Sequence, residues 1–313
     1  MDTTTTPTVF VAGATGSVGG AVSRQMRQLG WSVNAITRDV ESHAARSLMD
    51  IGVSLVQGDW DDAEVLEQQF RGVDMLFLLM SSSTRPGFKD AQVEQARNIL
   101  RIARCEGVKK VVYMSAMGCN DLDNWGVTWD AASPMTTSMR SKQAIESIVR
   151  ASDFPSGYTI LRPGFFMANF IGTKAAGYTA SGVWKTALRP DTELPMVDHE
   201  DIARFAVAAF QDPERFRGAE ITLFSELRKP GVLTETLSGA IGKRLEVSFM
   251  SEQDTEKDIK SPFVMAQVAM RNMARFVGDG APGTKWAVEM TGFEDFLQRE
   301  KQALRDTYAD LNL

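Results

Sequence analysis

The chain has 313 residues, of which 43% are hydrophobic and 24% are charged, and its formal net charge is −6. This composition is typical of a globular protein with a large core, and the absence of a basic block argues against nucleic-acid binding. The longest apolar run, residues 75–80, is too short to cross a membrane, and the threonine-rich start lacks the pattern of a signal peptide.

The two cysteines, Cys105 and Cys119, have neither metal-binding nor redox-motif spacing, and a total of two histidines excludes most histidine-based metal sites and triads. Unpaired cysteines fit a reducing compartment. We therefore expect a cytoplasmic protein, or a nuclear one if it is a regulator, that binds no metal.

Residues 8–162 alternate short apolar runs with amphipathic segments, which is typical of β-α-β units in a parallel sheet. The predicted strands cover residues 8–12, 32–37, 53–57, 74–79, 110–115 and 158–161. The predicted helices cover residues 18–29, 40–51, 61–70, 90–106 and 134–151. Four of these helices are followed by glycines suited to left-handed C-caps, namely Gly30, Gly52, Gly72 and Gly107. The pattern predicts an α/β fold with a doubly wound Rossmann sheet, in a first domain of residues 1–162.

Beyond residue 162 the regular alternation ends, and we expect a smaller α/β subdomain, residues 163–313, interleaved with the first domain. Its predicted strands cover residues 194–197, 220–224 and 245–249. Its predicted helices cover residues 201–211, 232–241, 263–276 and 292–307. We expect this subdomain to lie over the carboxyl ends of the sheet strands, where such folds bind their ligands.

The first predicted strand leads into a glycine-rich turn that opens a helix. The residues of this turn are Gly13, Ala14, Thr15, Gly16, Ser17, Val18 and Gly19. In dinucleotide-binding folds the first glycine permits the tight turn, the second lets the backbone approach phosphate, and the third permits close helix–strand packing. Unpaired N–H groups at the start of the helix would bind the pyrophosphate. The alternative is an ordinary strand–turn–helix with incidental glycines.

The residues after the second strand bear on the choice between NAD and NADP. A carboxylate at this position accepts hydrogen bonds from the ribose of NAD, whereas an arginine suits the 2′-phosphate of NADP. Arg38 comes first after the strand and Asp39 follows it, so the sequence favours NADP. In the alternative interpretation Arg38 is solvated and Asp39 is the N-cap of the next helix.

Further candidates for nucleotide contacts follow the third and fourth strands. Asp59 could accept a hydrogen bond from the adenine amino group, with Trp60 beside the ring. Acidic residues before a helix are also typical of capping, which is the alternative here. Met80, Ser81 and Ser82 form a small loop near the expected ribose.

Several motifs are spread along the chain. They are Gly-Ala-Thr-Gly-x-x-Gly at 13–19, Thr-Arg-Asp at 37–39, Gly-Asp at 58–59, Ser-Lys-x-x-Ile-Glu at 141–146, Leu-Arg-Pro-Gly-Phe-Phe-Met-x-Asn-Phe at 161–170 and Val-Asp-x-x-Asp-Ile-Ala at 197–203. Together they resemble the NmrA-like family of atypical short-chain dehydrogenases. The resemblance covers most of the chain and weakens after the 240s.

The resemblance implies a Rossmann domain, NADP and a small C-terminal subdomain that forms a cleft. Carried over by position, the nucleotide contacts would be Gly13 to Gly19, Arg38, Asp59, Met80 to Ser82, Lys142, Gly164, Phe165, Phe166 and Met167. Some members of the family reduce quinones, isoflavonoids or related phenylpropanoids with NADPH. Others bind the nucleotide and act as redox-sensing regulators of transcription or signalling.

The catalytic pair of short-chain dehydrogenases is Tyr-x-x-x-Lys, whose spacing puts both side chains on one helix face. Here Lys142 is present but Ser138 occupies the tyrosine position, and a serine hydroxyl is a poor proton donor without a base. We predict that Lys142 holds the nicotinamide ribose and polarises a substrate carbonyl, with proton delivery through Ser138 or water. Tyr178, in the expected substrate segment, is a further catalytic candidate. The alternative is that Lys142 only holds the nucleotide or is solvated.

Apolar side chains after the sixth strand suit either an aromatic substrate or a core between subdomains. They are Phe165, Phe166, Met167 and Phe170. Three functions follow from the sequence: an NADPH-dependent reductase of a quinone, enone or aromatic ketone, an NADP-sensing regulator with a protein partner, and a non-redox biosynthetic enzyme on the same fold.

Overall fold

The computed structural model describes residues 6–80, 91–129, 133–179, 181–278 and 282–311. The strands in these ranges are β1 (Thr8–Val11), β2 (Ser32–Thr37), β3 (Ser54–Gln57), β4 (Met75–Leu78), β5 (Lys110–Met114), β6 (Tyr158–Pro163), β7 (Phe165–Phe166), β8 (Val183–Thr186), β9 (Leu194–Val197), β10 (Ala219–Leu223), β11 (Glu226–Arg228) and β12 (Glu246–Phe249). The α-helices are α1 (Ser17–Gln28), α2 (His43–Asp50), α3 (Ala63–Phe70), α4 (Ala91–Cys105), α5 (Pro134–Ala151), α6 (His199–Gln211), α7 (Pro230–Ile241), α8 (Glu252–Lys257), α9 (Pro262–Met270), α10 (Pro282–Trp286), α11 (Phe293–Arg299) and α12 (Lys301–Thr307). Short 3-10 helices cover Leu122–Trp125, Met167–Phe170, Gly172–Gly177 and Met273–Phe276.

The chain divides into two compact units. Among the described residues, the first unit contains 6–80, 91–120, 138–162 and 199–221, and the second contains the others. Residues 199–221, which the sequence places in the C-terminal subdomain, thus lie in the first unit. There α6 packs against α1, and the side-chain amide of Gln25 donates to the carboxylate of Glu200 at 2.7 Å.

The first unit is built on a seven-stranded, mainly parallel sheet with the order β10-β6-β5-β4-β1-β2-β3. The chain runs outward from β1 to β3 and then returns to β4 on the other side of β1. The strand order therefore reverses between β1 and β4, and doubly wound folds bind their ligands at the carboxyl edge of such a switch point. The predicted Rossmann-type α/β fold is confirmed.

The strands at the centre of this sheet are buried on both faces. All four residues of β4 are buried, and Phe10 of β1 stacks on Phe70 of α3 with ring centroids 4.3 Å apart. Parallel strands covered on both sides by helices are apolar along their whole length, which is why they stand out in the sequence. The four predicted C-cap glycines are confirmed, since their φ angles lie between +71° and +86°.

Two helices begin later than their apolar pattern predicts because a side chain caps them. The hydroxyl of Ser42 accepts from the backbone N–H of Ala45 at 3.3 Å, so α2 begins at residue 43 and not at 40. The carboxylate of Asp62 accepts from the N–H of Val65 at 3.1 Å, so α3 begins at residue 63 and not at 61. Both contacts are N-cap interactions of the usual kind.

The second unit contains two small sheets. In the three-stranded sheet β11-β9-β7, the central strand β9 pairs antiparallel with β11 and parallel with β7. The other sheet is the parallel pair β12-β8. Strands β7 and β11 have two and three residues, too few for a period-2 pattern to reveal them. In β8 the valine Val183 is exposed and the threonine Thr186 is buried, so burial does not follow the apolar residues of the sequence.

Two long helices predicted in the second unit are wrong, because each is broken. The segment 263–276 is helical only to Met270, after which Arg271 donates to the carbonyl of Ala187 at 2.6 Å and Asn272 to that of Trp125 at 2.7 Å. These contacts with distant backbone hold the chain in a turn. The segment 292–307 is likewise divided into α11 and α12 at Glu300. Neither break carries a glycine or a proline that would have marked it.

Candidate nucleotide site and active site

The turn after β1 has the geometry that its glycines predict. Gly13 has a φ of +72°, and the N–H of Gly16 donates to the carbonyl oxygen of Gly13 at 3.0 Å. A Cβ atom at Gly19 would lie 2.2 Å from that same oxygen. Only glycine therefore fits at position 19, and helix α1 approaches the turn as closely as the backbone allows.

The N-terminus of α1 is open to an anion. Its N-cap residue is Gly16, no side chain caps it, and its first turn contains no acidic residue. Gly16 and Ser17 are exposed. The side chains of Ala14 and Val18 are buried, so Ala14 and Val18 can offer only backbone groups to a ligand. Exposed backbone N–H groups at the start of a twelve-residue helix, beside the switch point of the sheet, fit a dinucleotide pyrophosphate.

Arg38 lies directly after β2 with an exposed side chain. Within the described ranges its guanidinium forms no hydrogen bond or ion pair. The alternative in which Asp39 is the N-cap of α2 is wrong, because Ser42 fills that position. The Asp39 carboxylate instead accepts from the N–H of Glu41 at 2.9 Å. Both side chains remain accessible where β2 ends.

The residues after β3 and β4 have mixed roles. Asp59 is exposed and accepts from the N–H of Trp60 at 2.6 Å, while the half-buried Trp60 ring packs against the apolar core. The capping interpretation is confirmed for Asp62 and not for Asp59. The Met80 side chain is buried in the core, which leaves only its backbone for a ligand. Ser81 and Ser82 lie outside the described residues.

Ser138 and Lys142 lie one turn apart on α5, and both are half-buried. No group in the described part of the chain forms a hydrogen bond or an ion pair with the Lys142 ammonium. Burial lowers the pKa of Lys142, and the nearby Cys119 and Glu146 oppose this shift. The structure thus presents a lysine whose hydrogen-bonding capacity is unused and whose proton is held less tightly than in water.

A buried charged network that the sequence did not reveal lies next to Lys142. Glu146, one helical turn further along α5, is fully buried, and Arg162 donates two hydrogen bonds to its carboxylate at 2.8 and 2.7 Å. The thiol of Cys119 donates to the same carboxylate at 2.9 Å and lies 2.9 Å from the hydroxyl of Ser115. Arg150 and Glu220 complete the network.

This network holds Glu146 ionised. Burial opposes its ionisation, but hydrogen bonds from Arg162 and Cys119 lower the pKa of Glu146 below its usual value. The pKa of Cys119 is raised to about 11 by burial and by Glu146, so the thiol is a donor and not a thiolate. Charged residues at core-like positions of α5 and β6 were the available signal for this network.

In the second unit, most of the apolar segment after β6 is core. Phe165, Met167 and Phe170 are buried, and the N–H of Gly164 donates to the carbonyl of Leu223 at 2.9 Å. These three side chains are therefore core residues of the second unit. Phe166 is the exception, since its ring is half-exposed with the Lys174 ammonium 5.9 Å from its centre.

Tyr178 belongs to the second unit, whereas Ser138 and Lys142 belong to the first. Its half-buried ring makes edge contacts with an aromatic cluster formed by Phe165, Phe170, Trp184 and Phe263. Burial raises the pKa of Tyr178 to about 12, which makes its phenol a weaker acid than free tyrosine. The described surroundings of Tyr178 thus favour aromatic packing over proton transfer.

The described residues contain no group of three or more His, Cys, Asp or Glu side chains placed to hold a metal ion. They also contain no helix that is long and apolar enough to cross a membrane.

The glycine turn at the switch point of a parallel sheet is the arrangement found in Rossmann-type dinucleotide-binding folds. The chain belongs to the NmrA-like family, whose model matches residues 5–311. The family to which the sequence motifs pointed is thereby confirmed.

Two of the proteins to which this chain is similar are named as reductases. The chain is 33% identical over 201 residues to a (4-alkanoyl-5-oxo-2,5-dihydrofuran-3-yl)methyl phosphate reductase of Streptomyces griseus, a match that covers 64% of this chain and 62% of the relative. The fold also resembles that of Citrobacter triphenylmethane reductase, whose structure is complexed with NADP(H). The superposition covers 93% of this chain and 99% of the reductase chain, with a TM-score of 0.70 and 21% sequence identity.

A third comparison is with a regulator. It is NmrA, a negative transcriptional regulator crystallised in complex with NADP. The superposition covers 98% of this chain and 93% of the NmrA chain, with a TM-score of 0.66 and 19% sequence identity. Family, fold and relatives together make this chain an NAD(P)-dependent oxidoreductase of the NmrA-like family.

Proposed function

We propose that the protein is an NADPH-dependent reductase of a hydrophobic small molecule with a conjugated carbonyl, such as a quinone, an enone or an aromatic ketone. The observation that carries the proposal is Lys142, a half-buried ammonium without a partner in the described chain and with a lowered pKa. A group of this kind is suited to bind and polarise a carbonyl oxygen.

The preference for NADP rests on Arg38. A free, exposed guanidinium at the end of β2 can bind the 2′-phosphate bidentately, and the nearby Asp39 carboxylate is engaged in its own turn. The glycine turn and the start of α1 would hold the pyrophosphate. The nicotinamide, when bound, supplies the hydride.

Lys142 is free to act on a substrate because its neighbour Glu146 is already neutralised. Both oxygens of Glu146 accept from Arg162, so the carboxylate does not pair with the lysine one turn away. Lys142 can then donate to the substrate oxygen and stabilise the negative charge that develops on it. Ser138, on the same helix face, is placed to pass a proton from water.

The absence of a tyrosine at position 138 favours substrates whose reduced anions are stable. A quinone or an enone accepts hydride to give a delocalised oxyanion, which needs little assistance from an acid. The Streptomyces relative is named for a furanone substrate, whose ring double bond is conjugated to a carbonyl. In the second unit, the 41% exposed Phe263 beside Tyr178 offers an aromatic surface that suits such molecules.

The test is oxidation of NADPH measured against a panel of quinones, enones and aromatic ketones. We expect turnover of at least one class, and a loss of about 100-fold or more in kcat for Lys142→Ala, since a single oxyanion donor contributes about 10²–10³-fold. NADP affinity, measured by calorimetry, should change much less. The matched control is Lys260→Ala, an exposed lysine of the second unit. Tight NADP binding without turnover on any panel member would overturn the proposal.

The second candidate function is a nucleotide-sensing regulator, and Ser138 in place of the catalytic tyrosine is the observation that favours it. Such a regulator would bind a partner protein with different affinities in its NADP and NADPH forms. Pull-downs that give identical results with both nucleotides would count against it. A non-redox enzyme would instead convert its substrate without consuming NADPH, which product analysis with and without the nucleotide detects.

A further inference from the structure

A basic cleft lies on the first unit, between helices α4 and α5. Its volume is about 620 Å³, much larger than an inorganic anion requires. One wall carries Arg97, Arg101 and Arg104 of α4, and none of the described lining residues is acidic or aromatic. On a chain with a net charge of −6, three arginines in one cleft are a local reversal of the overall charge.

The three arginines form one stripe. Their spacing of four and three residues puts them on the same face of α4, over a length of about 10 Å at a rise of 1.5 Å per residue. All three are exposed. Within the described chain, the guanidinium of Arg97 contacts Glu94 at 3.4 Å, that of Arg101 donates to the side chain of Asn98 at 2.9 Å, and that of Arg104 forms no hydrogen bond or ion pair.

The floor and the opposite wall are apolar or small. Leu100 of α4 and Ile148 of α5 line the floor, and Ser147 and Ala151 of α5 lie one turn apart on the opposite wall. Small side chains allow another helix to approach closely, and two turns of basic side chains match acidic residues spaced along one helix face. The cleft therefore has the features of a groove for an amphipathic helix with a negative face.

Other occupants fit this cleft less well. In a symmetric dimer the same surface of both copies would be buried, which brings both sets of three arginines into one interface whose described lining offers no carboxylate. A membrane surface would require exposed large apolar side chains, and the exposed ones in the described chain lie elsewhere. Single-stranded nucleic acid is usually held by aromatic stacking, which the described lining residues do not offer.

We propose that the α4–α5 cleft is a docking site for an acidic amphipathic helix of a partner protein. The partner's carboxylates would pair with Arg97, Arg101 and Arg104, and its apolar side chains would cover the half-buried Ile148 and the exposed Ala151. The site is separate from Lys142 and does not depend on the reductase activity.

The probe is a fluorescent peptide of about 18 residues, long enough to be helical, with glutamates on one face and leucines and alanines on the other. We expect full-length protein to bind it at low ionic strength and to release it as salt screens the charges. The double variant Arg101→Glu/Arg104→Glu should bind at least tenfold more weakly. Lys301→Glu/Arg305→Glu on α12 makes the same charge change on another helix and should bind as the unmodified protein does.

Two further measurements locate the peptide. Cys105 is exposed and lines the cleft, whereas Cys119 is buried, so alkylation reports on Cys105 alone and the bound peptide should slow it. Ser147→Trp should block the cleft without a change in charge and weaken binding as strongly as the double reversal does. Retained NADP binding checks that each variant is folded.

The proposal is overturned if the peptide does not bind, or if it binds the double variant equally well. It is overturned equally if a scrambled peptide of the same composition, inorganic phosphate or a single-stranded oligonucleotide occupies the cleft as tightly, since no helix is then required. A solution dimer that Arg101→Glu/Arg104→Glu dissociates would mean that a second copy is the occupant.

Discussion

The glycine turn at residues 13–19 and the face of α5 that carries Ser138 and Lys142 belong to one unit, but they depend on different kinds of interaction. The turn works through backbone groups and the space left by missing side chains, as the 2.2 Å between a Cβ at Gly19 and the Gly13 oxygen indicates. The Lys142 face works through side chains, above a buried network of charges. Binding and turnover therefore depend on different residues and can be lost separately.

The largest effect should come from breaking the network beneath Lys142. Glu146→Ala removes two of the three hydrogen bonds that the buried Arg162 donates to carboxylates and leaves only the contact with the partly exposed Glu220. Removing one partner of a buried ion pair costs about 3–5 kcal/mol. The measurement is the free energy of unfolding in urea. Glu214→Ala removes the carboxylate of an exposed pair with Arg217 and should have a far smaller effect. Equal effects of the two substitutions would mean that the network adds no special stability.

The second largest effect is expected from a substitution in the glycine turn. Gly19→Ala places a Cβ against the Gly13 oxygen, which should destabilise the fold by about 1–3 kcal/mol and weaken NADP binding about tenfold or more as the turn opens. Gly239→Ala in α7 is the control, because an added Cβ there meets nothing within 4 Å. NADP titrations and thermal melts give both quantities. Unchanged NADP affinity in a folded Gly19→Ala protein would contradict the assignment of the turn.

The difference between the turn and the network also explains which parts of the structure could be predicted from the sequence. The turn and the parallel sheet depend on local patterns, namely glycine spacing and continuous apolar runs, so the strands β1 to β6 were predicted to within two residues at either end. The network depends on contacts between residues far apart in the chain, such as Arg162 with Glu146 and Cys119 with Glu146. No local pattern encodes those pairs. The broken helices of the second unit were missed for the same reason, since the turn at residues 271–272 is held by Ala187 and Trp125.

Arg38→Ala should have a smaller and more selective effect. Hydrogen bonds to a charged group contribute about 1.5–3 kcal/mol, so NADP affinity should fall about 10- to 150-fold while NAD affinity stays unchanged. Calorimetric titration with each nucleotide measures the ratio, and Arg305→Ala on α12 is the matched control. An equal loss for both nucleotides would show that Arg38 does not bind the 2′-phosphate.

The smallest effect concerns the outer edge of the network, at Glu220. Hydrogen bonds from Arg150, and then from Arg162, lower the pKa of Glu220 to about 2 from an ordinary value of 4.5. A carboxyl whose pKa is lower in the folded state stabilises the fold above pH 4.5, and this contribution is lost as the pH falls from 4.5 to about 2. In Glu220→Gln the midpoint of thermal unfolding should fall less steeply across this window. The slope should not vanish, because Glu146 also has a lowered pKa and remains.

Arg150→Gln separates this explanation from a general effect of acid. Arg150→Gln removes the principal donor to Glu220 and should flatten the same part of the plot of unfolding midpoint against pH. The double variant Arg150→Gln/Glu220→Gln should differ little from either single variant, because both substitutions remove the same Arg150–Glu220 interaction. Full additivity would mean that the two side chains act independently. The contribution of Glu220 to stability would then not come from its pairing with Arg150.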